Sequence, residues 1–457
     1  MSSPPLPSPE TWKSDALSLF LRLLPASFFE LLPASPRQNN RIYTTPVVLW
    51  LFILQRLQPL ASLQTAVLEL LRGLPSTFWP RPCRRLLDWR SGRQSPSSHT
   101  GAYNNARHQL PVTVVEQSCD RIFQQLSVHL HGPLPNRGIS AFFVDGTTVR
   151  LAHTPSLCQA YPPGSNQHGE AHWPQLRMLV AHDLHTGLAI RPEWGPVHGS
   201  HAVSEQSLLQ AALDRFPAGS AILADANFGV FSVAYAAAQR GHGVVLRLTA
   251  VRARHLGGTG LANGLDQLIL WQPTREDRRT HPALPADASV QGRLMVRQVK
   301  PSNGSAPFLL YLFVTLPPTV QADEAVQLYG QRWLIETDLR SLKSTLALEQ
   351  LHCTTPEMVT KELNLAMAAY NLIRAITYLA AERAGAPPRA YSFTRVRAVI
   401  EAFTPLVANA PTPSEAQRYF DQMMYYVGQA KLPKRTKRRP SYPRAVWGSP
   451  NSFPRRH

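Results

Sequence analysis

The spacing of apolar residues changes once along this 457-residue chain, close to Ile139. Before that point, segments such as TTPVVLWLFILQRLQ and TVVEQSCDRIFQQLSVHL carry apolar residues at the period of an α-helix, with Pro-rich joints between them. After it, short runs rich in Val, Phe and Ile alternate with Gly or Asn turns, which is the pattern of strands. The change of period therefore predicts an all-helical N-terminal domain followed by an α/β core.

The order of the apolar runs after Ile139 narrows the fold of this core. Three strand candidates come first: SAFFVDGTTVRLA, LRMLVAHD and LAIRPEWG. The helix-like VSEQSLLQAALDRF, the strand AILADA, the helix VFSVAYAAAQR and the strand GVVLRLTA follow in turn. This succession of strands and helices predicts a ribonuclease-H-like core.

Composition divides the remainder of the chain. A Gly-, Pro- and Arg-rich stretch with β-like pieces follows the core strands, and no acidic residue occurs beyond Asp421, where Lys, Arg and Pro accumulate. Such a tail is expected to be disordered and to attract polyanions. We predict a helical N-terminal domain at 1–132, the first part of the core at 133–250, a β-rich insertion at 251–318, a core helix at 319–350, C-terminal helices at 351–430 and the basic tail at 431–457.

The charge balance points to a polyanionic partner. Lys and Arg number 47 against 29 Asp and Glu, which gives a formal net charge of +18. Nucleic acid is the first candidate, although ribosomal and membrane-surface proteins can be as basic. The four Cys have no spacing typical of a zinc site or a disulfide framework. The longest apolar run, residues 47–54, is far shorter than the ~20 residues that cross a bilayer, so we expect a cytoplasmic protein with no membrane partner.

The segment LYGQRWLIETDLRSLKSTLALE, residues 328–349, carries polar side chains at helical intervals. On one α-helix they would fall within an arc of roughly 60°, beside a stripe of Leu and Ile. The members of this row are Tyr329, Arg332, Glu336 and Lys343. One interpretation is a solvent-exposed row in which Glu336 pairs with Arg332 or Arg340. The other is a functional face that borders the core.

Two apolar strand candidates each carry one aspartate, Asp145 in FFVDGTTV and Asp225 in AILADANFG. Each one alone is typical of a turn or a helix cap. Together with Glu336 they form oxygen ligands on three separate elements, a set that suits Mg²⁺ and two-metal phosphoryl transfer. Asp183, in a hairpin-like turn, and Glu205, in the first turn of a helix, have structural explanations and are left out of this set.

The segment 328–349 fits Y-x2-R-x3-E-x6-K, and with it the chain resembles the insertion sequence 4 family of bacterial DDE transposases. FFVDGTTVRL and ILADANFG resemble the two Asp strands of the family, and VTKELNLAMAAYNLIR resembles the helix after its Glu motif. SSHTGAYNNARHQLP resembles the segment ahead of its catalytic core, so the similarity covers residues 98–374. One departure is Ala226, since family members often have Arg after the second Asp.

The resemblance implies a DDE transposase that cuts DNA at insertion-sequence ends and joins them to target DNA. By the same resemblance, Asp145, Asp225 and Glu336 are catalytic and hold two Mg²⁺ ions, for which Mn²⁺ can substitute. The residues implied to bind DNA are Tyr329, Arg332, Lys343 and Trp271. Trp271 is the candidate for an aromatic that holds an unstacked base, although a strand Trp is more often a core residue.

The implied partners follow from this activity. They are DNA, as terminal inverted repeats and as target, and a second copy of the chain in a homodimeric paired-end complex. The helical domain at 1–132 is expected to bind the DNA ends, and the bacterial nucleoid is the expected location. Two alternatives stay open: a catalytically silent DNA-binding protein derived from a transposase, and a structure-specific nuclease with the same fold.

Overall fold

A computed structural model describes residues 16–32, 42–58, 61–130, 139–167, 169–300 and 306–432. Within these ranges the chain is a mixed α/β structure in which helices come first, a large sheet follows and further helices complete the C-terminal part. Apart from Lys431 and Leu432, the predicted basic tail lies outside the described residues.

The first part of the chain is helical, as its apolar period predicts. Its helices are α1 (Ala16–Leu23), α2 (Ala26–Glu30), α3 (Thr45–Leu57), α4 (Leu63–Arg72), α5 (Arg84–Arg90), α6 (Gly101–Gln109) and α7 (Val112–Leu130). The longest apolar run, residues 47–54, lies in α3 and is buried throughout. Across the part of the chain that the structure describes, no helix has the length and apolar character needed to span a bilayer.

One sheet forms the centre of the molecule. The strands are β1 (Ala141–Arg150), β2 (Ser165–Asn166), β3 (Gly169–Glu170), β4 (Gln175–Asp183), β5 (Glu193–Pro196), β6 (Ala221–Ala224), β7 (Gly243–Leu248), β8 (Asp266–Trp271), β9 (Val290–Val299) and β10 (Phe308–Val314). Eight of them pair in the order β5-β4-β1-β6-β7-β10-β9-β8, and β2 pairs with β3. β1, β4 and β5 are antiparallel neighbours, whereas β6 joins β1 in parallel and β7 joins β6 in parallel.

The segment predicted as a β-rich insertion, 251–318, contributes β8, β9 and β10. β10 pairs with β7 on one side and with β9 on the other, so these strands continue the central sheet instead of forming a sheet of their own. This pairing satisfies the backbone groups along β7 that would otherwise lie at an open sheet edge.

Helices pack around this sheet. They are α8 (Pro155–Ala160), α9 (Glu205–Ala212), α10 (Phe231–Gln239), α11 (Ala250–Gly257), α12 (Arg275–Thr280), α13 (Ala322–Gly330), α14 (Trp333–Arg340), α15 (Pro356–Arg383), α16 (Phe393–Ala408) and α17 (Pro413–Gln429). α15 is buried around most of its circumference and packs against α3, α7, α16 and α17. It therefore joins the N-terminal helices to the C-terminal ones.

The continuous helix predicted for residues 328–349 is interrupted twice. α13 ends at Gly330 and α14 begins at Trp333, because the N–H groups of Leu334 and Ile335 bond three residues back, to Gln331 and Arg332. A π-helical turn, Ser341–Thr345, then follows α14. The tighter and the wider turns change the rotation per residue, so the polar row is spread over three elements and does not form one straight line.

Candidate active site

Parallel pairing brings the two predicted aspartates to the same part of the sheet. β1 and β6 pair as far as Phe143 opposite Leu223, and Asp145 and Asp225 each lie two residues further along. The buried run of β1 ends at Val144, so the strand leaves the core at Asp145. Ligand sites in α/β sheets commonly form where the ends of neighbouring strands separate in this way.

The carboxyl group of Asp145 lies among charges of both signs. Burial raises its pKa to about 6; the backbone N–H of Gly146, which donates to Oδ1 at 2.8 Å, opposes that rise. The negative charges of Asp225 and Glu205 raise the pKa further, whereas the positive charge of Arg332 lowers it. Asp145 thus lies in a region where negative charge is only partly compensated.

Asp225 is held by the turn that follows β6. The backbone N–H of Asn227 donates to its Oδ1 at 2.9 Å. Between them, the carbonyl of Ala226 accepts a hydrogen bond of 2.7 Å from Nη1 of Arg252, in the first turn of α11. A guanidinium therefore lies beside the position where family members often carry Arg, although another part of the chain supplies it.

Glu336 lies near this pair but does not join it. It is in the first turn of α14, its side chain is 60% exposed, and its Oε1 is 3.4 Å from Nη2 of Arg332. This is the ion pair that the solvent-exposed interpretation predicts. Among the described residues, no group of three His, Cys, Asp or Glu side chains is arranged closely enough to hold a metal ion.

Tyr329 and Lys343 flank the same region. Tyr329, at the end of α13, is buried, and its contact with the Arg247 guanidinium falls short of normal hydrogen-bond geometry within the described residues. Burial raises the pKa of the Tyr329 hydroxyl, which is also close to the charges of Arg332 and Asp225. Lys343 lies in the π-helical turn, half-buried, and forms no ion pair within the described ranges.

Trp271 has a different position from the one its predicted contact with a DNA base requires. It is 5% exposed and packs edge-on against Phe313 and Phe231, with ring centroids 4.8 and 6.1 Å away. These contacts are those of a core residue, the alternative that the sequence left open. Trp333, at the start of α14 and next to Arg332 in sequence, is instead 60% exposed, and no role was predicted for it.

Asp183 and Glu205, the two acidic residues left out of the predicted metal-binding set, have different environments in the structure. Asp183 accepts hydrogen bonds from the backbone N–H groups of His185 and Thr186, which confirms its predicted role in a turn. Glu205 lies in the first turn of α9, as predicted, and Ser204 and Ser207 form the capping box there without it. Its carboxylate lies against Gly146, close to Asp145.

A buried ion cluster, which was not predicted from the sequence, anchors α14. Asp338 has no exposed surface and accepts hydrogen bonds from Arg374 and from Nη1 of Arg389, the latter at 2.8 Å. His182 is also buried, and burial lowers its pKa to about 4, so it is neutral at pH 7. A signal was present, since Asp338 lies three residues after Ile335 and four before Leu342, on a side of the helix that borders the apolar stripe and where a buried carboxylate needs a partner.

The chemistry of the site fits a hard divalent cation in part. Asp145 and Asp225 offer carboxylate oxygens from neighbouring strands, and their mutual repulsion is what a cation would relieve. The buried hydroxyl of Tyr329 adds a polar group aimed at the same region without a well-formed bond. Glu336 fits as a third oxygen ligand by its chemistry, whereas its described position is beside Arg332.

Two carboxylates where parallel strands separate, with Arg and Tyr beside them, define an α/β protein with an acidic site in a chain of net charge +18. Residues 136–372 match the model of the transposase DDE domain, and the chain belongs to this family. The predicted insertion sequence 4 type of DDE transposase is confirmed by this match together with the relative that follows.

Two known proteins illustrate the similarity. Over 345 residues the chain is 21% identical to the transposase InsG for insertion sequence element IS4 from Escherichia coli (strain K12), an alignment that covers 73% of this chain and 74% of that protein. In structure, the chain is similar to the piggyBac transposase in a synaptic complex with hairpin DNA, with a TM-score of 0.40 and 10% identity over 90% of this chain and 85% of the other.

Proposed function

We propose that the chain is a DNA transposase with a ribonuclease-H-like core, which cuts at insertion-sequence ends and joins them to target DNA. The observation that carries the proposal is the placement of Asp145 and Asp225 where β1 and β6 separate, inside the family-matched residues 136–372. The order of the strands supports the ribonuclease-H-like assignment: three antiparallel strands, β1, β4 and β5, are followed along the chain by two parallel strands, β6 and β7. The similarity to a transposase of an insertion sequence element supports the substrate.

In this proposal, Asp145, Asp225 and Glu336 hold two divalent ions, Mg²⁺ with Mn²⁺ as a substitute. When bound, such ions would activate the attacking water or 3′-hydroxyl and stabilise the leaving oxygen. Asp145 and Asp225 each lie two residues beyond the last paired residues of β1 and β6, and the charge of Asp225 raises the pKa of Asp145. Glu336 completes the set when a DNA phosphate takes its place beside Arg332, since an exposed pair of this kind is weak enough to exchange.

The phosphates near the scissile bond are held by Tyr329, Arg332 and Lys343 in this proposal. The Tyr329 hydroxyl has no well-formed hydrogen bond within the described residues and can donate to a phosphate oxygen. Lys343 has no ion-pair partner there either. Trp271 is not included, because its ring is buried in the core and a base cannot stack on it.

The reaction also determines the partners. A transposase of this kind binds the terminal inverted repeats of its element and a target DNA, and pairing two ends requires two copies of the chain. The net charge of +18 supports binding to phosphates in general. We therefore propose a homodimer on paired ends, located at the bacterial nucleoid.

The proposal is tested with a plasmid that carries the gene together with its natural flanking DNA. The purified chain should cut at two positions flanking the gene, and join the released 3′ ends to a second plasmid, with Mg²⁺ or Mn²⁺ but not with EDTA. Cutting at branched or hairpin structures irrespective of sequence would favour the nuclease, and binding without any cutting would favour the silent DNA-binding protein.

Arg332→Ala and Lys343→Ala should each weaken the paired-end complex by about tenfold to a hundredfold. The reason is the loss of one charge-assisted phosphate contact, worth roughly 1.5 to 3 kcal/mol. Gel-shift titration on an end duplex measures the effect.

Arg340→Ala is the matched control for this pair of variants. Arg340 is exposed, whereas Arg332 and Lys343 are half-buried, and it forms no ion pair within the described residues; it lies on the same helical segment but outside the Y-x2-R-x3-E-x6-K pattern. If all three variants bind and pair ends equally well, the phosphate contacts assigned to Arg332 and Lys343 are wrong.

A further inference from the structure

The carboxylate of Glu205 lies over the backbone of β1, at the point where Asp145 leaves the core. A Cβ atom at position 146 would overlap this carboxylate, so only glycine at position 146 leaves room for it. Ser204 and Ser207 cap the start of α9 through their side chains and backbone. Glu205 is therefore not needed for capping, and its side chain points away from its own helix, toward the loop after β6.

That loop is held by two successive residues of α9. Nδ2 of Asn227 donates to Oε2 of Glu205 at 2.5 Å. Nε2 of Gln206 donates to the backbone carbonyl and to Oδ1 of Asn227, at 2.7 and 2.9 Å. The amide group of Asn227 thus has a partner on each side, one for its donor and one for its acceptor.

Asn227 in turn orients Asp225. Its backbone N–H donates to Oδ1 of Asp225 at 2.9 Å, which fixes the direction of that carboxylate within the turn. A continuous set of hydrogen bonds therefore runs from Glu205 through Asn227 to Asp225. An offset of a few tenths of an ångström in a reacting group is costly, so a residue that fixes this turn affects the reaction without touching DNA.

We propose that Glu205 is a positioning residue of the active site, which acts as a hydrogen-bond acceptor for Asn227 and thereby holds Asp225 in place. The inference rests on the proposed function, because it assumes that Asp225 takes part in the reaction. It assigns Glu205 no contact with a metal or with DNA. The negative charge of Glu205 works against the neighbouring Asp145, so the accepted hydrogen bond, and not the charge, is the useful property.

The closing experiment compares Glu205→Ala with Glu205→Gln. Gln keeps an acceptor oxygen for Asn227, whereas Ala removes it, so cleavage at the ends should fall about tenfold to a hundredfold in Glu205→Ala and stay within about threefold of wild type in Glu205→Gln. End binding and the unfolding temperature should be unchanged in both variants. Gln210→Ala, on the same helix but outside the hydrogen-bond set, is the control and should behave as wild type.

Gly146→Ala provides a second test, because its effect on cleavage should depend on whether the Glu205 side chain is present. In the wild-type background its Cβ should displace Glu205 and reproduce the cleavage loss of Glu205→Ala. In the Glu205→Ala background the space is already vacant, so adding Gly146→Ala should cost little more. Additive losses would overturn the proposal, as would equal losses in Glu205→Ala and Glu205→Gln, which would indicate a role for the charge.

Hydrogen–deuterium exchange over residues 222–230 reads the turn independently of activity. Exchange of the Asn227 amide should be faster in Glu205→Ala than in wild type, and unchanged in Glu205→Gln. If the wild-type chain cuts no DNA, the proposed function fails, and this exchange still decides whether Glu205 holds the turn. If the wild type cuts and Glu205→Ala cuts equally well, only the inference about Glu205 fails.

Discussion

Asp225→Asn is expected to lower the rate of cleavage at the element ends by at least about a thousandfold, with end binding within about threefold of wild type. The loss corresponds to the several kcal/mol that a bound cation supplies to the transition state of phosphoryl transfer. Binding is preserved because affinity for DNA comes mainly from contacts of Lys and Arg with phosphates. Single-turnover cleavage of an end duplex in Mg²⁺ measures the rate, and gel-shift titration measures the binding.

Asp145→Asn and Glu336→Gln complete this test. Asp145 is expected to behave as Asp225 does, because both follow the point where β1 and β6 separate and their charges interact. Glu336→Gln is the more informative variant, since Glu336 is exposed and paired with Arg332 in the described structure. Cleavage by Glu336→Gln at the wild-type rate would remove Glu336 from the active site. It would not decide the roles of Asp145 and Asp225, which are tested by Asp145→Asn and Asp225→Asn.

The strands that carry Asp145 and Asp225 could be predicted from the sequence, because each is an apolar run that ends in an acidic residue. Their adjacency depends on the parallel pairing of β1 with β6, two strands that are distant in sequence. Only the order of strands and helices, and the family resemblance, gave any indication of that pairing. Local period alone cannot supply it, since it reports on neighbours along one element.

The environment of Trp271 shows where a pattern is ambiguous. Every residue of the run LILW in β8 is apolar, so the alternation that separates an inner face from an outer one is hidden in the sequence. In the structure Ile269 and Trp271 face the core, whereas Leu268 and Leu270 are 64% and 58% exposed. A strand whose two faces carry the same kind of residue does not reveal which face is buried.

Glu205 shows a second limit of sequence reasoning. A glutamate in the first turn of a helix has a ready explanation in the helix dipole, and that explanation was sufficient from the sequence. The flanking Ser204 and Ser207 offered a hint, because they can form a capping box without it. The direction of the Glu205 side chain, toward Gly146 and Asn227, depends on how α9 packs against β1 and could not be inferred from local residues.

Asp338→Ala is expected to reduce the free energy of unfolding by about 3 to 5 kcal/mol, the usual cost of removing one partner from a buried ion cluster. Arg374 and Arg389 would be left buried without their carboxylate, at 5% and 12% side-chain exposure. Urea unfolding at pH 7 measures the loss. Asp214→Ala is the matched control, because Asp214 pairs with Arg240 at the surface with 74% exposure and should cost about 0.5 kcal/mol.

The pH dependence gives this prediction a second signature. Burial alone would raise the pKa of Asp338, but Arg389 and Arg374 outweigh it and hold the pKa below its ordinary value of 3.8. A carboxyl group with a lowered pKa stabilises the fold at pH values above its unfolded pKa, and that contribution is lost as the pH falls through the folded pKa. The difference between wild type and Asp338→Ala should therefore be constant from about pH 5 to pH 8 and shrink below pH 3.8.

Asp338 also contributes to where Glu336 lies, because Asp338 and Ile335 are the two fully buried residues of α14, beside Leu334 and Leu339, which are half-buried against the core. Loss of the ion cluster should release this helix, so the Asp338→Ala variant should cut DNA ends more slowly even at temperatures where it remains folded. Asp338→Asn keeps an acceptor oxygen for one of the two arginines and should lie between wild type and Asp338→Ala in both stability and cleavage. An Asp338→Ala variant that unfolds and cuts as the wild type does would show that the apolar contacts of Leu334, Ile335 and Leu339 hold α14 in place without the ion cluster.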